Sequence, residues 1–576
     1  MPSLRLSDGQ DQLMCIAGFR KSKSFWFSCL AASAFCLVLA LFLGTLSASA
    51  GPTVWVASAL TRVGREDPPV DSSQVVLWAA RGEYESFQVI VRAPAGGLAH
   101  VKVEASELAD GPKRLISKSN LSLYREHYVH VTHASPDRGG SNRPLGPGWY
   151  ADALIPLLDT DKTDKKAPST GVERKTAGFD LAAASNQPVW VDVFVPRNAE
   201  PGQYRGTITV SSDQGAASVP LALNVWNFEL PVRPSLLSVF GIYNDTNSNP
   251  HIFYADMKAN QRLLLEHKLM PVSVDPTAER EFIDRYGLSL SQLEYFKVAA
   301  YGHCEQPPAP AVSDLLSLKA KHQPDVSLYV HLADEVSECR AIFPVLKQWA
   351  KNVRSAGLTS MLTAIPLPEL RDDGSGTGRS VADIWVMLPK QFVSNAADMA
   401  AVLRKGDKVW SYTALVQDSF SPKWEIDFAP VNYRILGGFL NQVQGLSGLL
   451  YWNVNSWAIG PTPDPWNNVA YVEDGKVTPA GEGWLVYPAD KTGAAGFLPS
   501  LRLKWIRKSV EDYEYIEILK RLGRGEWALG IARTVAPDWA NWTRDPNALE
   551  SAHRQLGAEI HRLISSRPAS AGPARP

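Results

Sequence analysis

Two adjacent carboxyls, Asp334 and Glu335, close the apolar run Ser327-Leu-Tyr-Val-His-Leu-Ala333. The run is rich in β-forming residues, and an amphipathic helical pattern follows it, so the doublet falls at the C-terminal end of a strand. In barrels and open α/β folds, reactive groups collect at that end. Two carboxyls of different acidity are the minimum equipment for acid/base work on a glycosidic bond. Strict alternation places Asp334 with Leu328, Val330 and Leu332, and Glu335 with Tyr329, His331 and Ala333, on opposite faces. Both carboxyls reach one mouth only if the strand stops at Ala333 or Asp334 and the chain turns there. Val336-Ser-Glu338 permits that turn, with Ser337 as a helix N-cap. The plainer alternative is a Glu335 that is simply favoured at a helix N-terminus.

A second cluster lies far along the chain. It reads Leu450-Tyr-Trp-Asn-Val-Asn-Ser-Trp457, then Asp464-Pro-Trp466, then Gly481-Glu-Gly-Trp-Leu-Val-Tyr-Pro488. Flat indoles can stack on sugar rings, and amides or carboxylates can bind hydroxyls. Trp452, Asn453, Asn455, Trp457, Asp464 and Trp466 are therefore candidate ligand contacts. The alternative is core packing for the indoles and turn capping for the amides. Tyr243 and Asn244 end the first barrel strand and join the candidates, as does Tyr412, beside Trp410 on the seventh. His127, His130 and His133 do not converge on one strand face, so no metal site is expected there. The chain has no P-loop, no G-x-S-x-G and no H-E-x-x-H, and no cofactor is expected. With a formal net charge of −1 it has no basic excess for phosphates, which argues against nucleic acid as a partner.

The elements that must position these residues divide the chain in two. From Thr53 to about Arg233 the pattern is of short strands such as Ser86-Phe-Gln-Val-Ile-Val91, Val189-Trp-Val-Asp-Val-Phe-Val195 and Gly206-Thr-Ile-Thr-Val210, separated by Gly/Pro turns. This predicts an antiparallel β-sandwich. Asp159 to Lys175 reads as an exposed loop. The Gly-rich stretch from Gly139 to Tyr150 is either a surface excursion or a loop reaching over the second domain's mouth. After Pro234 strands alternate with helices. Strands are expected at Leu236–Tyr243, Pro271–Val274, Ser327–Ala333, Ser360–Ile365, Ile384–Leu388, Val409–Thr413 and Gly448–Asn453, with Phe296–Tyr301 as an eighth. That count predicts a (β/α)8 TIM-barrel-like domain. A doubly wound open sheet is the alternative, but no Gly-rich nucleotide loop follows the first strand. Helices after Pro499 close the domain. The predicted limits are 51–232 for the sandwich, 233–522 for the barrel, and 523–576 for C-terminal helices and a disordered tail.

Residues 1–50 read as a signal peptide or membrane anchor. Arg20, Lys21 and Lys23 precede the apolar stretch Phe25–Leu43, and Ala48-Ser49-Ala50 is a small-residue cleavage motif. Cleavage would give a periplasmic or secreted protein, and an uncleaved leader would leave a membrane tether. Past the leader only Cys304 and Cys339 remain, either as a disulfide or as two thiols.

Taken in order, several strings resemble glycoside hydrolase family 123 and its uncharacterised relatives. They are Arg81-Gly-Glu-Tyr-Glu-Ser-Phe-Gln88, Gly148-Trp-Tyr-Ala-Asp-Ala-Leu-Ile-Pro156, Asp334-Glu335, Gly448-Leu-Leu-Tyr-Trp452, Asp464-Pro-Trp466, Gly481–Pro488, and Pro499-Ser-Leu-Arg502 with Arg507 and Glu511-Asp512-Tyr513. The resemblance implies a β-sandwich followed by a barrel-type catalytic domain and a carbohydrate substrate. It also implies retaining β-N-acetylhexosaminidase chemistry in which the substrate's own 2-acetamido oxygen attacks the anomeric carbon. Glu335 would then be the general acid/base, and Asp334 would hold the acetamido N–H. Two departures stand out. Val336 occupies a position where the family commonly has Pro, and Gly481-Glu482-Gly483 stands where Gly-Asp-Gly is common. Other readings of the residues are a glycosidase for another exopolysaccharide sugar and a non-catalytic glycan-binding or exopolysaccharide-assembly protein on the same fold.

Overall fold

A computed structural model describes residues 51–157, 178–242, 257–458, 465–469, 472–473, 476–489 and 496–566. The predicted leader, the Asp159–Lys175 loop and the tail from 567 lie outside these. No helix among the described residues is long and apolar enough to cross a membrane.

The N-terminal strands form two facing sheets. One runs in the order Thr53–Ser58, Tyr84–Arg92, Asn186–Phe194, Leu121–Val131, Gly148–Pro156. The other runs Val75–Arg81, Gly215–Glu229, Gly202–Ser212, Leu98–Ala105, Phe179–Leu181. Neighbours pair antiparallel except Val75–Arg81 with Gly215–Glu229, which are parallel. Alternate residues such as Phe87, Val89, Val91, Val189, Val191, Ile208 and Val210 fill the space between the sheets.

The second half is a parallel barrel. Its strands are β1 (Leu237–Phe240), β2 (Leu290–Gln292), β3 (Ser327–Asp334), β4 (Thr359–Thr363), β5 (Ile384–Met387), β6 (Lys408–Tyr412) and β7 (Gly448–Tyr451), in the spatial order β1-β7-β6-β5-β4-β3-β2. The gap between β1 and β2 is bridged by Met270–Val272. Phe240 N donates to Met270 O, Val272 N to Phe240 O, and Gln292 N to Val272 O, each at 2.9 Å. The expected Pro271–Val274 strand is thus reduced to a bridge. Phe296–Tyr301 is not a strand either, and β2 takes that place in the sheet. The Phe296 segment instead runs over the end of β3, where Ala299 O accepts from Asp334 N at 2.9 Å. Helices cover the outside, among them Phe343–Ser355 and Ala396–Lys405. The long helix Leu501–Arg521 starts at Ser500, whose hydroxyl accepts from Leu503 N at 3.1 Å. Its side chains are buried on nearly every face, because it lies between the barrel helices and the first sheet of the sandwich. Gly525–Val535 and Pro546–Ser565 pack against it.

Candidate active site

Two backbone devices bring Asp334 and Glu335 to the barrel mouth. The first is a bulge. His331 pairs with Met361 and Asp334 with Thr363, so β3 spends three steps where β4 spends two. The extra residue reverses the alternation and puts Asp334 on the face of His331. Gln306 stabilises the bulge, donating from Nε2 to Leu332 O at 2.9 Å while its Oε1 accepts from Ala299 N at 2.8 Å. The second is a left-handed turn at Glu335, with φ of 51°. Its N–H still donates to Thr363 O at 2.8 Å, but the chain then leaves the sheet. Ser337 does not cap a helix. Its hydroxyl accepts from Ile365 N at 2.9 Å, tying the turn to the loop after β4, and Arg340–Ile342 and the helix from Phe343 begin later. Glu335 is therefore not at a helix N-terminus. A disulfide between Cys304 and Cys339 fastens the Phe296 loop to the same turn.

The Tyr412 hydroxyl donates to Glu335 Oε1. Two strands separate β6 from β3, about 14 Å along the sheet, so this contact spans the mouth. Burial, then the Glu335 charge and this hydrogen bond, push the Tyr412 phenol well above its ordinary value, and it stays a donor. His331 Nε2 lies 3.0 Å from Thr363 Oγ1. Burial pulls the imidazole down against the Asp334 charge, so it is neutral near pH 7.

A wall rises beside Tyr412. Trp452 follows β7 and is 43% exposed, and Leu415 follows β6 and is 52% exposed. Both are held by one carboxylate: Trp452 Nε1 donates to Glu482 Oε1 at 2.6 Å and Leu415 N to Glu482 Oε2 at 3.0 Å. Glu425 is fully buried behind Glu482. Neither Glu482 nor Glu425 was a candidate from the sequence. The available signal for the first was its place between two glycines, which departs from the Gly-Asp-Gly of the resembling family.

The other candidates fare differently. Asn453 Oδ1 accepts from Asn455 N at 2.7 Å, so this buried pair builds the turn after β7. Trp457 and Trp466 are not part of the wall. Both are buried in a core with Val129, Val131, Ala153 and Tyr487 that joins sandwich to barrel. Trp457 Nε1 donates to Val486 O at 2.9 Å, and Trp466 packs edge-on against His127. Trp410 is also core. Tyr243, Asn244 and Asp464 lie outside the described residues. The Gly139–Tyr150 loop does reach the barrel domain: Asn142 Nδ2 donates to Ser421 O at 2.7 Å, and Leu145 N donates to Asp427 O at 2.6 Å.

His130 stacks on Trp149 while His127 faces Trp466, so these histidines share no centre. Among the described residues, the group of His and carboxylates close enough to share an ion is Glu83, Glu85 and His553. There the cation is already supplied by Lys508, which pairs with both glutamates.

Two family models match the chain. Residues 57–212 match the glycoside hydrolase 123 N-terminal domain, and residues 318–519 match the glycoside hydrolase 123 catalytic domain. Among solved structures, a family 123 glycoside hydrolase from Clostridium perfringens, described in terms of glycolipid glycan hydrolysis, is similar in fold. The TM-score is 0.61 at 13% identity, over 89% of this chain and 98% of that one. A β-glucuronidase from Parabacteroides merdae matches at a TM-score of 0.24 and 9% identity, over 64% of this chain and 45% of that one. No curated protein matches the chain.

Proposed function

The chain belongs to glycoside hydrolase family 123 and is a glycosidase, and from that premise we propose a retaining, substrate-assisted enzyme acting on N-acetylhexosamine-containing glycans. The observation that carries this reading is the placement of two adjacent carboxyls by the bulge and the left-handed turn. A double displacement through an enzyme nucleophile uses carboxyls on opposite sides of the scissile bond, about 5 Å apart. Consecutive residues on one strand end suit a different division of labour. The 2-acetamido oxygen attacks the anomeric carbon, Glu335 protonates the leaving oxygen, and Asp334 accepts the acetamido N–H and offsets the developing positive charge. Tyr412 fixes one oxygen of Glu335 and leaves the other for proton transfer. The half-exposed indole of Trp452 offers a ring face to the sugar.

The test is turnover of an aryl N-acetyl-β-hexosaminide by the purified protein. Glu335→Gln and Asp334→Asn are each expected to lose about 10²–10⁴-fold in kcat, and the released sugar should keep its β configuration. Wild-type rates in either variant, or turnover of the matching glycoside without the 2-acetamido group, would falsify the assignment.

Export is the second element of the proposal. The basic, apolar and Ala-Ser-Ala segments of the first 50 residues support it, and so does the Cys304–Cys339 disulfide, since such bonds persist in oxidising compartments. N-terminal sequencing of the protein from its source cells should read from Gly51. A chain that begins at Met1 counts against cleavage.

A further inference from the structure

Leu415 and Trp452 are two large apolar side chains left open to solvent beside Tyr412, and the same carboxylate holds both. The turn carrying that carboxylate allows little else. Gly481 and Gly483 each have φ of 70°. A Cβ on Gly483 would lie 2.5 Å from Trp452 Cζ2, and one on Gly481 would lie 2.6 Å from the Ile426 side chain. The indole therefore rests directly on the turn. On the other side Leu415 and Val416 are left-handed, with φ of 58° and 46°. The left-handed region is disfavoured for any residue with a Cβ, so the segment persists only where its ends are tied. Glu482 ties Leu415 N, and Arg138 ties Val416 O.

Glu425 completes the device. Among the described residues no N–H or hydroxyl donates to either of its oxygens, and the group at hydrogen-bonding range is the Glu482 carboxyl. Nearby cations are committed elsewhere: Lys423 to Asp418 at 2.8 Å and Arg502 to Asp152 at 3.0 Å. Asp427 adds a further negative charge, and the Tyr451 hydroxyl accepts from Gly483 N. Two buried carboxyls without a free counterion hold one proton between them. Burial first, then the Glu482 charge, keep Glu425 well above the carboxylate range. Burial raises Glu482 as well, but both of its oxygens already accept N–H bonds from the indole and the amide, so the shared proton rides on Glu425.

Resting on the glycosidase reading of the Asp334–Glu335 site, we infer that the Glu425–Glu482 carboxyl pair is a positioning device that locks Trp452 and Leu415 into one apolar wall for the sugar ring at Glu335. Neither glutamate touches the reacting atoms.

The test joins steady-state kinetics on an aryl N-acetyl-β-hexosaminide to the indole N–H resonance of Trp452. That resonance is read without substrate in protein carrying ¹⁵N-tryptophan and assigned by its loss in Trp452→Phe. Glu482→Gln should raise KM about tenfold while kcat stays within about threefold, and should move the indole resonance upfield. Glu482→Asp, a methylene shorter, cannot reach both N–H groups and should do the same in part. Glu425→Ala should behave like Glu482→Gln. Glu425→Gln, whose amide N–H replaces the shared proton, should keep the wild-type KM and resonance. An unmoved resonance and KM in both Glu482 variants overturn the inference, as does a Glu425→Gln variant no better than Glu425→Ala. Inactivity of the wild type towards every N-acetylhexosaminide counts against the substrate assignment, and the resonance then decides the wall by itself.

Discussion

Tyr412 ends its strand with a buried ring and a hydroxyl on Glu335, so the orientation of the proposed acid depends on a neighbouring phenol. A hydrogen bond to a charged group contributes about 1.5–3 kcal/mol. Tyr412→Phe should therefore lower kcat about 10–100-fold with KM nearly unchanged, and kinetics with the wild-type kcat would remove Tyr412 from the site. The placement of Asp334, Glu335, Tyr412 and Trp452 at strand ends was legible in the sequence because each closes a run with a strand's pattern. Trp457 and Trp466 were misread as ligand contacts because an indole in a sequence carries no sign of its burial. Glu425 was missed for the opposite reason. Lys423, Glu425 and Asp427 alternate like a solvated strand face, yet all three are buried.

At the scale of elements, the turn after β3 was foreseen but not its means. Strict alternation separates the two carboxyls, and only the register slip between β3 and β4 undoes this. A bulge has no fixed sequence mark, since it depends on the partner strand. The eighth place in the barrel was misassigned for a related reason. Leu290-Ser-Gln292 is too short and polar to read as a strand, and its pairing with Ser327–Tyr329 defines it. The choice between disulfide and free thiols for Cys304 and Cys339 could not be made from spacing, because it needs the 5.3 Å between their Cα atoms. That bond closes a loop of 35 residues, for which chain entropy gives about 4 kcal/mol. Cys304→Ser with Cys339→Ser should lower the urea midpoint, with a loss of unfolding free energy of that order. A midpoint equal to that of the oxidised protein would show that the bond adds no stability. Glycosidase activity should fall as well, since the same bond fastens the turn carrying Glu335.

Across the whole molecule, the strings from the sandwich that carried the family resemblance meet those of the helix after Pro499. Glu83 and Glu85 pair with Lys508, Asp152 with Arg502 and Tyr487, and Asp192 with Lys504 and Arg507. Their order along the chain was readable, but their meeting across the two domains was not. His553 joins this network through Asp512 at 2.7 Å and Glu83 at 3.3 Å. Burial and Lys508 push its imidazole down, but the hydrogen bonds to Asp512 and Glu83 outweigh them and hold it up at about 9. A proton held more tightly in the folded protein than in the chain, where histidine titrates near 6.5, stabilises fully below that value. The contribution is lost as pH rises through about 9. Burial raises Glu85 to about 7 and Glu126 to about 8, and both act in the same direction. Lys504, pulled down by burial to about 8, acts the other way above that pH. The urea midpoint should thus fall between pH 6.5 and 8, and fall less in His553→Gln. An equal slope in both proteins would clear His553 of this role.

The helix Leu501–Arg521 has a consequence for where this protein can be cut. Its Arg502, Lys504 and Arg507 are buried and Lys508 is mostly so, and their carboxylates come from Glu83, Glu85, Asp152 and Asp192 on the other architecture. Removing one partner of such a pair costs about 3–5 kcal/mol. A truncation near Pro231, where strand pattern gives way to barrel pattern, would strand four cations in an apolar seam. The sandwich is in effect the counterion of the helix that closes the barrel. The boundary visible in the sequence is a change of architecture and not a place where a catalytic domain could be excised.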